Sequence, residues 1–263
     1  MSERDDKKAE DLAEGTLMSH LLELRNRLLK AMLGILVVFV PCAVYANNLF
    51  TLIAQPLIDK LPKGASLIAT NVVSPFMTPF KVAFYVALFL AMPVVLYQIW
   101  AFVAPGLYRR EKRFAVPLLV SSVLLFYAGA VFAYFAVFPV MFTFLVGTAP
   151  TGVSYMPDMT SYLDFVITLF FAFGVAFEMP VAVVLLVLTG LVSVESLGKN
   201  RGYVIIGIFV VAAFLTPPDE ISQTIMAVPM YLLYEGGLAM ARVMQKMRRE
   251  AAEAAEKEEA EAR

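Results

Sequence analysis

The chain has 263 residues, 60% of them hydrophobic and only 16% charged, with a mean hydropathy of +0.75 and a formal net charge of -1. Soluble domains sit near one half apolar and one quarter charged, so this composition excludes an ordinary soluble enzyme and points to an integral membrane protein. A single cysteine, Cys42, rules out an intramolecular disulfide and a cysteine-based metal site, and a single histidine, His20, rules out Cys–His or histidine-rich metal chemistry.

In chain order, residues 1–15 form a polar, acidic arm with no short apolar run before the first long helix. No cleaved signal peptide is expected, and the arm is expected to be disordered. The stretch "TLMSHLLELRNRLLKAM" then sets Leu17, Leu21, Leu24 and Leu28 in one apolar stripe, with Glu23, Arg27 and Lys30 on the opposite side. It reads as an interfacial amphipathic helix running into a first span. Glu23 stands four residues before Arg27, as in a helix ion pair worth about 0.2–0.5 kcal/mol. It stands equally well as a carboxylate held at the membrane surface to receive a cation.

Spans of about 20 apolar residues cross a hydrocarbon core, and candidates fall at about 28–46, 76–103, 115–146, 161–189, 202–215 and 221–241. The fifth, "YVIIGIFVVAAFL", reaches only about 20 Å at 1.5 Å per residue. The sixth opens with "ISQT" and carries Glu235, so its apolar stretch is also expected to be short, with thinned bilayer or a shielding subunit beside it. Residues 47–75 are too polar to span and too apolar to float, and fit an amphipathic segment on the outer interface, bent at Pro56. The "TPPDE" turn between the last two spans is tight enough to make them antiparallel neighbours.

Of the 21 Lys and Arg residues, 18 fall on one side: six in residues 1–30, four in "APGLYRREKRF", two in "VSVESLGKNRG" and six from Arg242 onward. By the positive-inside rule both termini are cytoplasmic, giving six spans in a multi-pass topology. The domain plan is an arm over 1–15, a membrane domain over 16–242 and a charged cytoplasmic tail over 243–263.

Within the spans lie the polar residues Gln98, Glu178, Gln223 and Glu235, along with Tyr and Ser residues. Glu178 follows the small residues Ala172, Gly174 and Ala176 and precedes Pro180, a pattern for close helix approach and a kink beside a partly wet surface. A protonated, hydrogen-bonded structural carboxyl fits the same position. Glu111 lies among Arg109, Arg110, Lys112 and Arg113, where it is a counter-ion unless it turns away from them. There is no G-x-S-x-G, no H-E-x-x-H, no Gly-rich phosphate loop and no pair of intramembrane aspartates, so no enzyme activity, cofactor, metal or nucleic-acid partner is expected.

The strings "HLLELRNRLL", "IATNVVSPFMTPFK", "QIWAFVAPGLYRREKR", "AFGVAFEMPVAV" and "FLTPPDEISQ" resemble, in order and from about residue 16 to 242, TatC, the multispan core of the twin-arginine protein translocase. The resemblance implies an all-α, six-helix, cupped-hand bundle in the cytoplasmic (inner) or thylakoid membrane. It implies binding of twin-arginine signal peptides of folded cargo, export driven by the proton-motive force, and assembly with TatA- and TatB-type single-span partners and with other copies of itself. It further implies that Glu23 and Glu111 recognise the arginines, with Phe102 and Arg113 in the same region. Glu178, with Gln98, would face the concave side. Thr216 and Gln223 would contact the single-span partners, and Pro56 and Asp219 would occupy an outer loop and the outer turn. Two rival classes stay in view. One is a proton-coupled transporter using Glu178, which lacks the two related halves such proteins show. The other is a passive scaffold that gathers partner helices without reading the signal.

Overall fold

The structure, a computed structural model, describes residues 2–61, 65–103, 115–148, 156–215 and 220–261. Among them the chain forms α1 (Ser2–Val44), α2 (Ala46–Ile58), α3 (Ser74–Leu90), α4 (Met92–Val103), α5 (Ala115–Phe132), α6 (Phe138–Gly147), α7 (Met159–Phe177), α8 (Met179–Leu188), α9 (Val194–Lys199), α10 (Arg201–Leu215) and α11 (Glu220–Glu261). A π-helical segment, Ala133–Val137, joins α5 to α6. The helical backbone takes in residues 2–15, where composition suggested disorder. Ala, Glu and Lys extend a helix at little cost once α1 is nucleated.

Among the described residues four helices are long and apolar enough to cross a membrane: Leu21–Val44, Val116–Gly147, Met159–Leu188 and Gln223–Met247. Ser74–Leu90 with Met92–Phe102, bent by 50°, makes a fifth if the pair is one span, and α10 is a shorter apolar helix. The sequence is therefore right about the short fifth segment and wrong about the sixth. The apolar run of α11 takes in the 25 residues Gln223–Met247, on both sides of Glu235.

Proline sets the interruptions. α4, α6 and α8 each carry Pro in their second position (Pro93, Pro139 and Pro180). A proline has no N–H for the preceding turn, and its ring crowds the carbonyl four residues back. At Ala91 and Glu178 the helix breaks and restarts, while ahead of Pro139 it widens into the π-helical turn. Pro56 acts differently. It lies within α2, buried, and the interruption expected there falls at Tyr45 instead. The N–H that Pro56 lacks would have reached the Leu52 carbonyl. The Tyr134 hydroxyl donates to that carbonyl at 3.1 Å, and the Tyr162 hydroxyl donates to the Ile53 carbonyl at 2.8 Å. A carbonyl freed in an apolar setting is thus satisfied by a side chain.

The chain divides into two compact units, Met1–Leu49 with Pro79–Leu119, and Phe50–Thr78 with Val120–Arg263. In the first, α1 and α4 pack antiparallel: a Cβ at Gly34 would lie 3.0 Å from Val94 Cγ1, and further along Arg27 meets Gln98. Small residues, Cys42 and Ala46 with Ala83 and Ala87, form the α1–α2 contact with α3.

In the second unit the core is aromatic. Phe138 meets Phe170 edge-on at 4.9 Å, Phe142 lies 5.5 Å from Tyr162, and Phe132 lies 5.7 Å from Phe173. Lipid tails are as apolar as these rings, so shape fit and dispersion hold the helices together rather than escape from water. Glycines set the closest approaches: a Cβ at Gly129 would be 2.5 Å from the Phe173 carbonyl oxygen, one at Gly174 would be 2.5 Å from the Phe126 ring, and one at Gly237 would be 2.6 Å from Pro180 Cα.

At the start of α7, Asp158 is the N-cap. Its carboxylate accepts from the N–H groups of Thr160 and Ser161, each at 3.0 Å, and from the Thr70 hydroxyl at 2.7 Å and the Thr70 N–H at 3.1 Å. The bridge between Ile68 and Asp158 adds backbone bonds Ile68 N to Pro157 O and Met159 N to Ile68 O. The residues around 68–70 are thereby fastened to the α7 start. The Ser161 N–H, foremost, with the Thr70 and Thr160 donors, holds the Asp158 carboxyl well below the usual carboxylate range. A depressed carboxyl stabilises the fold above its unfolded value, near 3.9, and loses that contribution as pH falls toward its folded value. Hydrogen exchange at the Ile68 and Thr70 amides is accordingly expected to quicken as pH drops below about 4, after correction for the intrinsic exchange rate. In Asp158→Ala it is expected to be fast already at neutral pH.

Candidate functional site

Glu23, Arg27 and Gln98 form a chain of polar contacts across α1 and α4. Arg27 Nη2 donates to Glu23 Oε1 at 3.1 Å, and Arg27 Nη1 makes a long contact, 3.4 Å, to the buried Gln98 Oε1. Glu23 and Arg27 are half-exposed, their side chains at 36% and 26% of full accessibility. One helical turn before Arg27 lies Glu23, and one turn after Gln98 lies Phe102, so the antiparallel pair carries the acid and the aromatic to the same end.

Magnitudes say what this acid can do. The intrahelical pair is worth about 0.2–0.5 kcal/mol, and half of it stands in solvent. A hydrogen bond to a charged partner contributes about 1.5–3 kcal/mol, and a guanidinium can meet a carboxylate with two. The ion pair that the sequence allowed is formed, and the Glu23 carboxylate stays partly in solvent.

Glu178 sits at the α7–α8 break. Its place follows from the glycines: α5 and α7 run antiparallel in close contact at Gly129 with Phe173 and at Phe126 with Gly174. One turn further on each helix, the buried Ser122 hydrogen-bonds the Glu178 carboxylate. Oε1 of the same carboxylate is buried without a hydrogen-bonding partner among the described residues. A carboxyl with one oxygen satisfied and the other shielded is suited to accept a donor from a neighbouring helix.

A third polar cluster was missed in the sequence. Arg201 Nη2 donates to Glu235 Oε2 at 2.9 Å, Arg201 Nε donates to Oε1, and the Tyr231 hydroxyl donates to Oε1 at 3.0 Å. The Tyr234 hydroxyl donates to the Leu197 carbonyl at 2.8 Å, tying α9 to α11. The signal was available: Arg201 and Glu235 lie at nearly equal distances on either side of the "TPPD" turn, so an antiparallel pair must bring them level. Glu235 thus has a cation beside it, which is why it does not end the apolar run.

Of the residues named from sequence, Glu23 and Gln98 meet through Arg27, with Phe102 half-buried one turn on. Gln98 and Glu178, expected on one face, belong to different units. Gln223 is half-buried near the start of α11, and Pro56 is buried in α2. Glu111, Arg113, Thr216 and Asp219 lie outside the described residues. Among the described residues no group of three or more His, Cys, Asp or Glu could hold a metal.

Known proteins are similar to this chain over most of its length. The family model "Sec-independent protein translocase protein (TatC)" matches residues 19–229. The chain is 54% identical to the Sec-independent protein translocase protein TatC of Azotobacter chroococcum mcd 1 over 222 residues, 84% of this chain and 87% of that one. It is 53% identical to that of Escherichia coli (strain K12) over 226 residues, 86% and 88% of the two chains. A crystal structure described as the twin arginine translocase receptor TatC superposes with a TM-score of 0.75 and 37% identity, covering 85% of this chain and 98% of that one.

Proposed function

The chain belongs to the TatC family of Sec-independent protein translocase proteins, and from that premise we propose that it is the signal-peptide receptor and core of a twin-arginine translocase. It is a helical membrane protein of a protein-transport system and works with other Tat subunits. In the reading proposed here it crosses the inner membrane six times as a cupped bundle, with both termini cytoplasmic, as the 18 cations on one side favour. The bent α3–α4 pair and the short α10 count as spans.

The single observation that carries the receptor reading is the half-exposed Glu23 carboxylate, held by only a weak pair at the start of the apolar span Leu21–Val44, toward the end of α4 where Phe102 also lies. Glu23 and Glu111 each accept one guanidinium of the arginine pair, with Phe102 and Arg113 bordering the site. Planar guanidinium groups suit two-point contact with carboxylates, and lysine does not. Glu178 lines the membrane-depth surface that takes the apolar part of the signal or a partner helix, its shielded Oε1 supplying an acceptor. Thr216 and Gln223 contact TatA- and TatB-type helices, and the proton-motive force drives export of folded cargo.

The test is affinity. Glu23→Ala and Glu111→Ala are each expected to weaken binding of a twin-arginine signal peptide about tenfold or more, from about 1.5–3 kcal/mol per charge-assisted contact. Isothermal titration with detergent-solubilised protein checks this. Unchanged affinity in both variants would leave the passive-scaffold reading in its place.

A further inference from the structure

We propose that the basic groove between α9 and α11 is a binding site for one anionic phospholipid, its phosphate held by Lys199, Arg242 and Arg249 and an acyl chain lying in the apolar cleft beside it. The groove is open, about 510 Å³, and Lys199, Arg201, Arg242, Lys246 and Arg249 line it, with Glu195 also facing it. Two of these cations are engaged: Arg201 by Glu235, and Lys246 by Glu250 at 3.7 Å. Lys199, Arg242 and Arg249 form no salt bridge among the described residues, although the charge of Arg242 is felt at Glu235. Arg242 lies across α9, its Nη2 3.6 Å from where a Cβ would stand at Gly198.

Three clustered cations at the end of a membrane helix are an anion site in a setting where the abundant anion is a lipid phosphate. Topology alone requires cations on this side but does not require them to converge. The second observation selects a lipid over a soluble anion. A cleft of about 60 Å³ between α8 and α11, lined by Val184, Leu188, Ala241 and Met244, adjoins the groove, and Gln245 borders both. A small slot walled by apolar side chains beside a basic groove, with an amide at the junction, offers room for the first methylenes of an acyl chain next to the phosphate and ester of one phospholipid. It places a lipid against α8 and α11, close to the Gly237–Pro180 contact.

The experiment uses the full chain in detergent, titrated with phosphatidylglycerol or phosphatidylcholine and read by native mass spectrometry. One phosphatidylglycerol is expected to be retained at least tenfold more tightly than phosphatidylcholine. With about fivefold lost per cation removed, the triple variant K199Q/R242Q/R249Q is expected to bring the two lipids level, and excess inorganic phosphate is expected to leave the bound lipid in place. Met244→Gln is expected to weaken retention of the lipid without changing binding of inorganic phosphate. Equal retention of both lipids by the unaltered chain, or undiminished phosphatidylglycerol in the triple variant, would overturn the proposal. So would displacement by phosphate alone, which would mark a plain anion site. Lipid binding seen only after truncation behind Glu250 would overturn it too, since the acidic tail would then be the occupant. None of these substitutions touches Glu23, so a failure here is separable from a failure of signal recognition.

Discussion

Arg201→Ala is expected to lower the melting temperature of the detergent-solubilised protein by several degrees, and Glu235→Ala by less. The asymmetry follows from place. Glu235 lies at the middle of the apolar run Gln223–Met247, so removing Arg201 leaves a carboxylate at membrane depth with only the Tyr231 hydroxyl and the Arg242 charge to compensate it. Arg201 opens α10, and its long side chain can swing its charge toward the aqueous end when Glu235 is gone. Swapping the two as R201E/E235R restores attraction across the same gap and is expected to recover most of the loss, though Tyr231 would lose its acceptor. Thermal unfolding of the four proteins side by side checks the order. Equal melting of Arg201→Ala and the unaltered chain would mean the pair contributes nothing.

The second large effect is steric. Gly237→Ala would put a methyl group 2.6 Å from Pro180 Cα, where the obstacle is backbone and cannot rotate aside. Overpacking of this kind costs about 1–3 kcal/mol, and it would pry α11 from α8. Its neighbour provides the control: a Cβ at Gly236 meets nothing within 4 Å. Gly236→Ala is therefore expected to be neutral or to stabilise by up to about 1 kcal/mol through helix propensity. Opposite signs at adjacent positions of one helix would be hard to obtain from any cause other than the Pro180 contact. Retention of secondary structure during heating, followed by circular dichroism, separates the two.

Much of this architecture is legible in the sequence because lipid imposes a simple rule: long apolar runs must be helices. Glu178 stands out for the same reason, and Gly174 before it does admit the Phe126 ring. Partners are harder to read than positions. Ser122 on α5 meets Glu178 only because Gly129 and Gly174 set the register of two helices far apart in sequence. Pro56 looks like a bend, yet its consequence is a carbonyl at Leu52 that Tyr134 takes up from 82 residues away. Glu235 makes the last span look short, and only the antiparallel return of α10 supplies the arginine that neutralises it. Composition and spacing reveal where a polar group is costly, while the compensation depends on packing.

The central claim, that this chain reads arginine pairs through Glu23 and Glu111, is tested most directly by photo-crosslinking a twin-arginine signal peptide to membranes containing the protein. Photoreactive labels go at Glu23, at Glu111 and, as a distant control, at Lys60. The account predicts signal-dependent crosslinks at both acid positions, little at Lys60, and loss of the acid-site crosslinks when the peptide carries a lysine pair. Equal labelling at Lys60, or crosslinks that persist with the lysine pair, would contradict it.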